Sequence, residues 1–273
     1  MSFAIEHLGQ NIWRGRFTAF PEQEVVHGFS ARLGGVSGKP WDSLNLGLHV
    51  GDAPEAVLEN RRRFLRALDL RAERVVSPEQ VHGTDVYQVR GEDVGRGALA
   101  YAEAIARTDA LITDVPGVPL LLCFADCVPL IFYDPAHHAI GAAHGGWKGT
   151  VGGVAGNTVA AMQAAYGTEP DKLLAGIGPS IGPCCYEVGA EVEDQFREVW
   201  PQHGDRLFSE QEGKTHLNLW EANRLQLLSA GLKEENIECA ETCTACEHKW
   251  FFSYRADHGQ TGRLAAVIAL KDF

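Results

Sequence analysis

An apolar segment, LLLCFADCVPLIFYD (residues 120–134), places the strongest constraint on how this chain folds. Its composition predicts a buried β-strand, and the run is interrupted once, by Asp126-Cys127. Burying a carboxylate or a thiolate costs free energy unless the group is paired, so packing alone does not explain this pair. It therefore indicates that the sheet presents functional groups here. A free cysteine is also commonly a small buried hydrophobe, which leaves a structural role for Cys127 open.

A second β-segment follows, and the residues between the two segments predict a hairpin. The sequence DPAH (134–137) has Asp and Pro at the positions that a type I turn favours. With these four residues as the loop, Cys127 would lie directly opposite His144, with Cβ atoms about 5 Å apart. That separation suits a Cys–His dyad or two ligands of one metal ion. Pro129 predicts an edge strand or a β-bulge near Cys127.

The rest of the chain predicts an α+β fold in which mixed β-sheets are flanked by helices, because strands and helices do not alternate regularly. Asp52 and Pro54 signal a helix start, Thr150 is a candidate N-cap, and Gly167 a helix stop. Helical periodicity marks residues 55–70, 154–167, 188–200 and 219–232. Strand patterns mark 109–113, two pieces of 75–91 around His82-Gly83, and two pieces of 249–272. With no linker or repeat, residues 1–273 are predicted to form a single domain.

Charge, apolar run length and cysteine usage argue against several classes of partner and indicate where the protein is located. The formal net charge of -12 argues against nucleic-acid and anionic-membrane surfaces, which require a basic face. No apolar run approaches the about 20 residues that span a bilayer, and the N-terminus does not resemble a signal peptide. Seven cysteines without an export signal predict reduced thiols and a cytoplasmic location.

One cysteine and one histidine do not complete a metal site, because catalytic zinc usually has three protein ligands and an open position. Spacing alone does not choose the third ligand among the other histidines. The candidates are His27, His49, His82, His137, His138, His216, His248 and His258. After His144, the sequence GGWKGT permits close approach of a ligand and places Lys148 for an anion, although a tight strand-to-helix turn accounts for the glycines equally well.

Seven segments together resemble the YfiH-like family, whose members are known both as polyphenol oxidase or laccase-domain proteins and as purine nucleoside phosphorylases. They are GFSARLGGVS, LNLGLHVGD, QVHGTDV, ADCVPLIFYD, AAHGGWKGT, GPSIGPCCYEVG and FFSYRADHGQTGR, in order from about residue 27 to the C-terminus. The resemblance implies a zinc site of His82, Cys127 and His144, with copper as another suitable ion. It also implies a fold similar to the Cys–His toxin deamidase of the cytotoxic necrotising factor type.

The activity that the resemblance implies is phosphorolysis of adenosine, inosine and methylthioadenosine, together with adenosine deamination. The expected partners are purine nucleosides and inorganic phosphate, and a homodimer is allowed. Such chemistry needs groups that bind phosphate, ribose and base, and a carboxylate that carries a proton. The candidates are Arg32, Arg61 and Lys148 for phosphate, Asn45 for ribose or base, and Glu79, Asp85 and Asp126 for the proton.

Arg61 and Asp126 are also compatible with structural roles. The Arg61 side chain fits a solvated helix face, and the Asp126 carboxylate fits an acceptor of backbone N–H groups that fixes its loop. Three rival functions stay open: a metal-free cysteine hydrolase or deamidase with Cys127 as nucleophile and His144 as base, a copper-dependent polyphenol oxidase, and a non-catalytic module that binds metal or nucleoside.

Two further cysteine patterns do not predict a site. Cys239, Cys243 and Cys246 have the spacing of an iron–sulfur motif, but chance spacing is favoured because little chain follows to form the enzyme type that uses it. Cys184-Cys185 is interpreted as two packed thiols rather than a vicinal disulfide. A multicopper cluster is disfavoured because the sequence contains no His-x-His pair.

Overall fold

The computed structural model describes residues 3–272. The strands are β1 (Phe3–Gly9), β2 (Ile12–Phe17), β3 (Val25–Ser30), β4 (Val86–Gln88), β5 (Ala110–Thr113), β6 (Leu120–Phe124), β7 (Val128–Asp134), β8 (Ala139–Gly145), β9 (Leu174–Ile177), β10 (Phe208–Gln211), β11 (Lys214–Leu217), β12 (Ile237–Cys239) and β13 (Leu264–Leu270). The helices are α1 (Pro54–Ala67), α2 (Trp147–Gly152), α3 (Val154–Tyr166), α4 (Ala190–Val199), α5 (Gly204–Leu207) and α6 (Leu219–Ser229).

Two sheets and a short ribbon contain these strands. The first sheet is antiparallel, with the order β1-β2-β3-β13-β6. The second has the order β12-β9-β7-β8-β5-β4 and mixes parallel edge pairs with antiparallel central pairs. Strands β10 and β11 form the ribbon. The predicted α+β class with mixed sheets is therefore confirmed, while the prediction of one domain over the whole chain stays a prediction.

The elements stack as helix, sheet, sheet and helices, because each sheet has two apolar faces. Along β7, Ile131 and Tyr133 point into the space between the sheets, whereas Leu130 and Phe132 point to helices α3, α4 and α6. Helix α1 covers the outer face of the first sheet with residues such as Phe64. No helix within residues 3–272 is long and apolar enough to cross a membrane.

The apolar segment 120–134 is two strands, so the prediction of one continuous strand is wrong. Strand β6 belongs to the first sheet and β7 to the second, and residues 125–127 form a bend between them. Both strands are fully buried, which is why their composition resembles that of one run. The Asp126-Cys127 pair lies where the chain passes from one sheet to the other.

The hairpin forms with a register two residues away from the predicted one. Asp134 stays in the ladder and pairs with Ala139, so the loop is 135–138, and Pro129 lies opposite His144. The buried Asp134 carboxylate accepts the loop N–H groups at 136 and 137 (2.9 and 3.2 Å), which favours this longer ladder. Strand β7 is also interior, and Pro129 is tolerated near its first residue, so the expected edge or bulge is wrong.

Three local predictions are corrected as well. Only one of the two pieces around His82-Gly83 forms a strand, β4, while the other makes isolated bridges. Within the described residues only β13 forms at the C-terminus, because Phe251 and Phe252 are buried in a small cluster with Leu264 instead of pairing. Thr150 lies inside α2.

The predicted helices are confirmed. Helix α1 begins at Pro54, beside the Asp52 carboxylate that accepts the N–H of Ala53. Helix α3 is preceded by Gly153 and ends at Gly167, whose φ values of 91° and 76° are left-handed. Glycine adopts that conformation without a Cβ clash, which explains both boundaries.

The His27 side chain is a neutral imidazole that stabilises the first sheet. Its Nε2 accepts the N–H of Phe17 at 2.9 Å, and the ring is buried. Burial, with smaller contributions from Arg14 and Arg16, lowers the pKa of His27 to about 3. Because the unfolded chain then binds this proton more readily, stability contributed by His27 is present above about pH 6.5 and is lost as the pH falls towards 3.

We expect His27→Gln to reduce the acid sensitivity of folding. The wild-type unfolding free energy should fall by up to about 1.4 kcal/mol per pH unit more than that of the variant between about pH 6 and pH 4. Denaturant unfolding at several pH values measures this difference. The control is His7→Gln, which removes an exposed imidazole of the same sheet. Identical pH slopes for His27→Gln and wild type would contradict the prediction.

Candidate metal centre

The bend at 125–127 places Cys127 at the rim of the core between the sheets. Asp126 has a left-handed φ of 85°, which is unfavourable for a residue with a Cβ. Its carboxylate accepts the Thr244 hydroxyl and the Arg255 backbone N–H, each at 2.7 Å. The backbone N–H partner confirms the interpretation that Asp126 fixes its loop. These bonds hold the bend and thereby orient the cysteine that follows.

His144 lies on the same side of the second sheet as Cys127 despite the changed register. A shift of two residues keeps every side chain on its face, whereas a shift of one would reverse it. His144 therefore points between the sheets, where its ring contacts Phe124 with centroids 5.5 Å apart. Cys127 lies two residues before Pro129, the partner of His144.

The QVHG segment brings His82 to the same place. Gln80 anchors it to β6, because its side-chain amide donates to the carbonyl of Cys123 (2.8 Å) and its oxygen accepts the N–H of Cys123 (2.7 Å). His82 itself has a φ of 60°. Its imidazole lies 4.7 Å from that of His144, centroid to centroid.

Asp109 connects these parts, and the sequence reasoning missed it. Its fully buried carboxylate accepts the N–H groups of Val81, His82 and Gly83 at 3.1, 3.0 and 2.7 Å. It also bonds Nδ1 of His144 at 2.8 Å. Burial alone would raise the pKa of Asp109, but these bonds hold it below its usual range. Because Nδ1 of His144 is occupied, Nε2 is the nitrogen available to a ligand.

Ligand atoms of His82, Cys127 and His144 all lie within 4.8 Å of one another. Two imidazoles and a thiolate are donors that zinc and copper accept. Gly146 provides the space between them, because a Cβ built there would lie 2.8 Å from Cδ2 of His82 and 3.2 Å from the Cys127 sulfur. The residues present thus fit a single metal ion.

Cys127 and His144 polarise each other. Burial would raise the pKa of the Cys127 thiol, but the neighbouring imidazoles, His144 foremost, lower it to about 6. Burial would lower the pKa of His144, but Cys127 and Asp109 raise it to about 9. The pair therefore favours a thiolate, which is the form that binds metal and acts as a nucleophile.

A cavity of 310 Å³ opens beside this group, at the lower end of the range for small-ligand pockets. Its lining residues are Val81, His82, Asp126, Cys127, Trp147, Lys148, Ile181, Tyr186 and Leu219. The structure thus brings the phosphate candidate Lys148 and the proton-carrier candidate Asp126 to the cavity, while their roles stay predictions.

The other predicted substrate ligands have structural partners. Arg61 is buried, not solvated, and donates to the carbonyls of Leu46, Gly97 and Ala98. Its burial contradicts the solvated-face interpretation, since the carbonyls replace water around the charge.

Arg32 and Asn45 are likewise occupied. Arg32 donates to the carbonyls of Asp42 and His248, and its guanidinium lies 4.6 Å over the ring of Phe252. The Asn45 amide oxygen accepts the N–H of Arg263 at 2.8 Å. These geometries favour structural roles for both.

Two of the proton-carrier candidates also point to structural roles. The Glu79 carboxylate accepts the backbone N–H of Arg107 at 3.1 Å. Asp85 is exposed, and its backbone carbonyl accepts the N–H groups of Asp109 and Ala110. Asp126 is the candidate that lines the cavity. Arg263, by contrast, was not predicted; burial lowers the pKa of its guanidinium, and the nearby Cys123 and Cys127 partly offset this effect.

Comparison with known proteins identifies the family of this chain. A family model described as multi-copper polyphenol oxidoreductase laccase matches residues 26–271. The chain belongs to the YfiH-like family. The purine nucleoside phosphorylase YlmD of Geobacillus stearothermophilus is 45% identical over 94% of both chains. The purine nucleoside phosphorylase YfiH of Escherichia coli is 38% identical over 88% of this chain and 92% of its own.

Solved structures of the family show the same fold. The crystal structure of YlmD from Geobacillus stearothermophilus superposes with a TM-score of 0.93 at 43% identity, covering 98% of this chain and 99% of that one. The Neisseria meningitidis protein NMB0706 gives a TM-score of 0.78 at 33% identity, covering both chains fully. The expected similarity to the toxin deamidase stays a prediction.

We expect Asp109→Asn to weaken metal binding at His82, Cys127 and His144 by about 10–100-fold, because the carboxylate that orients His144 is lost. Zinc-dependent protection of Cys127 from alkylation, followed by mass spectrometry of its peptide, measures the affinity at this site alone. Asp114→Asn, an exposed residue just beyond the same strand, is the matched control. Unchanged protection in Asp109→Asn would contradict the assigned role.

Gly146→Ala should also impair binding, since the new methyl group would occupy the space between the ligands. We expect Cys127 to lose its zinc-dependent protection while the circular dichroism spectrum stays that of wild type. Gly156→Ala in α3 is the control, because a Cβ there meets nothing within 4 Å. A Gly146→Ala variant that protects Cys127 as well as Gly156→Ala does would argue against an ion at this position.

Proposed function

We propose that this chain is a metal-dependent purine nucleoside phosphorylase. The observation that supports the proposal is the convergence of His82, Cys127 and His144 on a cavity that Lys148 also lines. The names of the relatives described above support the substrate class. The enzyme would act on adenosine, inosine and methylthioadenosine.

Phosphorolysis joins an oxygen of inorganic phosphate to C1′ of the ribose while the bond from C1′ to the purine breaks. The purine leaves with the bonding electrons and gains a proton. The protein must hold phosphate beside C1′ and keep the base in place. The Lys148 ammonium is the cavity's candidate for phosphate, and the rings of Trp147 and Tyr186 offer flat apolar walls for a purine.

Zinc is the ion that we propose for His82, Cys127 and His144, and copper suits the same donors. When bound, the ion would supply a Lewis acid for an oxygen of phosphate or water. Asp109 would keep Nδ1 of His144 engaged, so that Nε2 stays directed to the ion.

Adenosine deamination is the second activity that we propose for this cavity. It replaces the amino group at C6 with oxygen from water and releases ammonia, so it needs an activated water and a proton carrier. Asp126 is the carboxylate of the cavity wall, although Thr244 and Arg255 already bond it.

A metal-free cysteine deamidase is the rival that a specific observation favours. Asp109, His144 and Cys127 form an acid–imidazole–thiol series in which Asp109 orients the imidazole, as in cysteine hydrolases. This rival predicts activity in the presence of chelator. A copper polyphenol oxidase is supported by the family description, and it predicts oxidation of phenols by oxygen.

Product analysis separates these functions. Protein purified without a metal-binding tag is incubated with adenosine, with and without inorganic phosphate, and the products are resolved by chromatography. We expect adenine and ribose 1-phosphate only when phosphate is present, inosine without phosphate, and inosine with the hypoxanthine formed from it when phosphate is present. Chelation should abolish all products. Restoration by zinc would identify the ion.

The matched variants are Cys127→Ala, in which both activities should fall by at least about 100-fold, and Cys239→Ala, a cysteine of β12, which should retain them. Full turnover by Cys127→Ala would overturn the proposal. Turnover that resists chelation would favour the cysteine deamidase.

A further inference from the structure

Besides the group of His82, Cys127 and His144, the structure contains a second group of possible metal ligands. Its four cysteine sulfur atoms lie within 4.8 Å of one another. They belong to Cys184, Cys185, Cys243 and Cys246. The Cys246 sulfur lies 3.5 Å from that of Cys184 and 3.4 Å from that of Cys185. A disulfide would bring two sulfurs to about 2.05 Å, so these are separate thiols.

These separations match those of thiolates around one tetrahedral ion. Zinc binds sulfur at about 2.3 Å, and the edge of such a tetrahedron is about 3.8 Å. A cluster of several irons would spread its four cysteines over a wider space than 4.8 Å. Soft sulfur donors in this arrangement select zinc among the common divalent ions.

The backbone presents these sulfurs as two close pairs from distant parts of the chain. Cys184-Cys185 lies in a turn in which the N–H of Cys185 donates to the carbonyl of Gly182 at 3.0 Å. Cys243 and Cys246 follow in a second turn, which a bridge between Ser180 and Cys243 holds against the first.

Gly182 permits this approach and adds a bond to sulfur. Its N–H donates to the Cys243 sulfur at 3.2 Å. A Cβ at this position would lie 3.2 Å from the Cβ of Cys243 and 2.7 Å from the Trp220 ring. Backbone N–H groups directed at ligating sulfurs are the outer-shell partners that metal–thiolate sites use.

We propose that Cys184, Cys185, Cys243 and Cys246 form a second metal site, a tetrahedral four-cysteine zinc centre that cross-links the two turns. The inference does not rest on the proposed function, because none of the four residues belongs to the His82, Cys127 and His144 group. Cys184 and Cys246 are exposed, so an ion can reach the buried Cys243.

The centre would stabilise one wall of the cavity. The first turn lies between Ile181 and Tyr186, which both line the cavity. The second contains Thr244, whose hydroxyl bonds Asp126. An ion that ties the turns together would thus support the residue that orients Cys127.

Metal content and cobalt spectra test the proposal. The tag-free protein is analysed for zinc and iron by mass spectrometry, then reloaded with Co²⁺. We expect two zinc ions per chain in wild type, one in Cys127→Ala and one in Cys246→Ser. The sulfur-to-cobalt charge-transfer band should persist in Cys127→Ala and lose most of its intensity in Cys246→Ser.

Cys239→Ser is the matched control and should bind two ions, because Cys239 lies outside the group. A Cys246→Ser variant with wild-type zinc content and cobalt spectrum would overturn the proposal, as would iron in place of zinc. If only the group of His82, Cys127 and His144 fails to bind zinc, the ion that depends on Cys127 is missing from the wild-type protein as well. The ion that depends on Cys246 would still be present.

Alkylation of the wild-type protein keeps the test independent of folding of the variants. With zinc bound, all four cysteines should resist iodoacetamide, and chelation should expose them together. Equal labelling with and without chelator would overturn the proposal, and so would a disulfide between any of them in freshly purified protein.

Discussion

The bend at residues 125–127, where the chain leaves one sheet and enters the other, is the constraint on which the candidate metal centre depends. The left-handed backbone of Asp126 costs about 1–3 kcal/mol. Each of the two hydrogen bonds to its carboxylate is worth about 1.5–3 kcal/mol, so together they offset that cost. Cys127 is thereby fixed between the sheets, at a place where an ordinary strand would present an aliphatic side chain.

Asp109 fixes the positions of His82 and His144, just as Asp126 fixes the position of Cys127. A buried carboxylate is costly unless several donors surround it, and here three backbone N–H groups and the His144 imidazole do so. One side chain therefore sets the QVHG loop, with the left-handed His82, against strand β8. Asp109 thereby brings the two imidazoles together, because it bonds the backbone N–H of His82 and the ring Nδ1 of His144.

The sequence predicts the parts of this arrangement that depend on local pattern. The prediction that Cys127 and His144 share one face of the sheet is correct, although the predicted hairpin register differs from the observed one by two residues. Side chains alternate between the two faces of a strand, so a shift by an even number of residues leaves each side chain on its face. What depends on non-local pairing was missed. Asp109 reaches His144 only because β5 pairs with β8, and Arg61 is buried only because three carbonyls from two other segments surround its guanidinium. The pair Cys184-Cys185 and the pair Cys243 and Cys246 lie close together because a β-bridge joins Ser180 to Cys243.

The cavity walls come mostly from loops, and loops need cross-links to hold a fixed shape. Asp126 supplies one, because its backbone carbonyl accepts the N–H of Ile181 at 2.9 Å while its carboxylate bonds Thr244. The four cysteines join the same two loops a few residues further on. Thr244 thus lies between the cysteine group and the bend that orients Cys127. A displacement of either loop would therefore act on the bend through Asp126, by its backbone carbonyl for the Ile181 loop and by its carboxylate for the Thr244 loop. The two groups of candidate metal ligands are thus coupled through one residue.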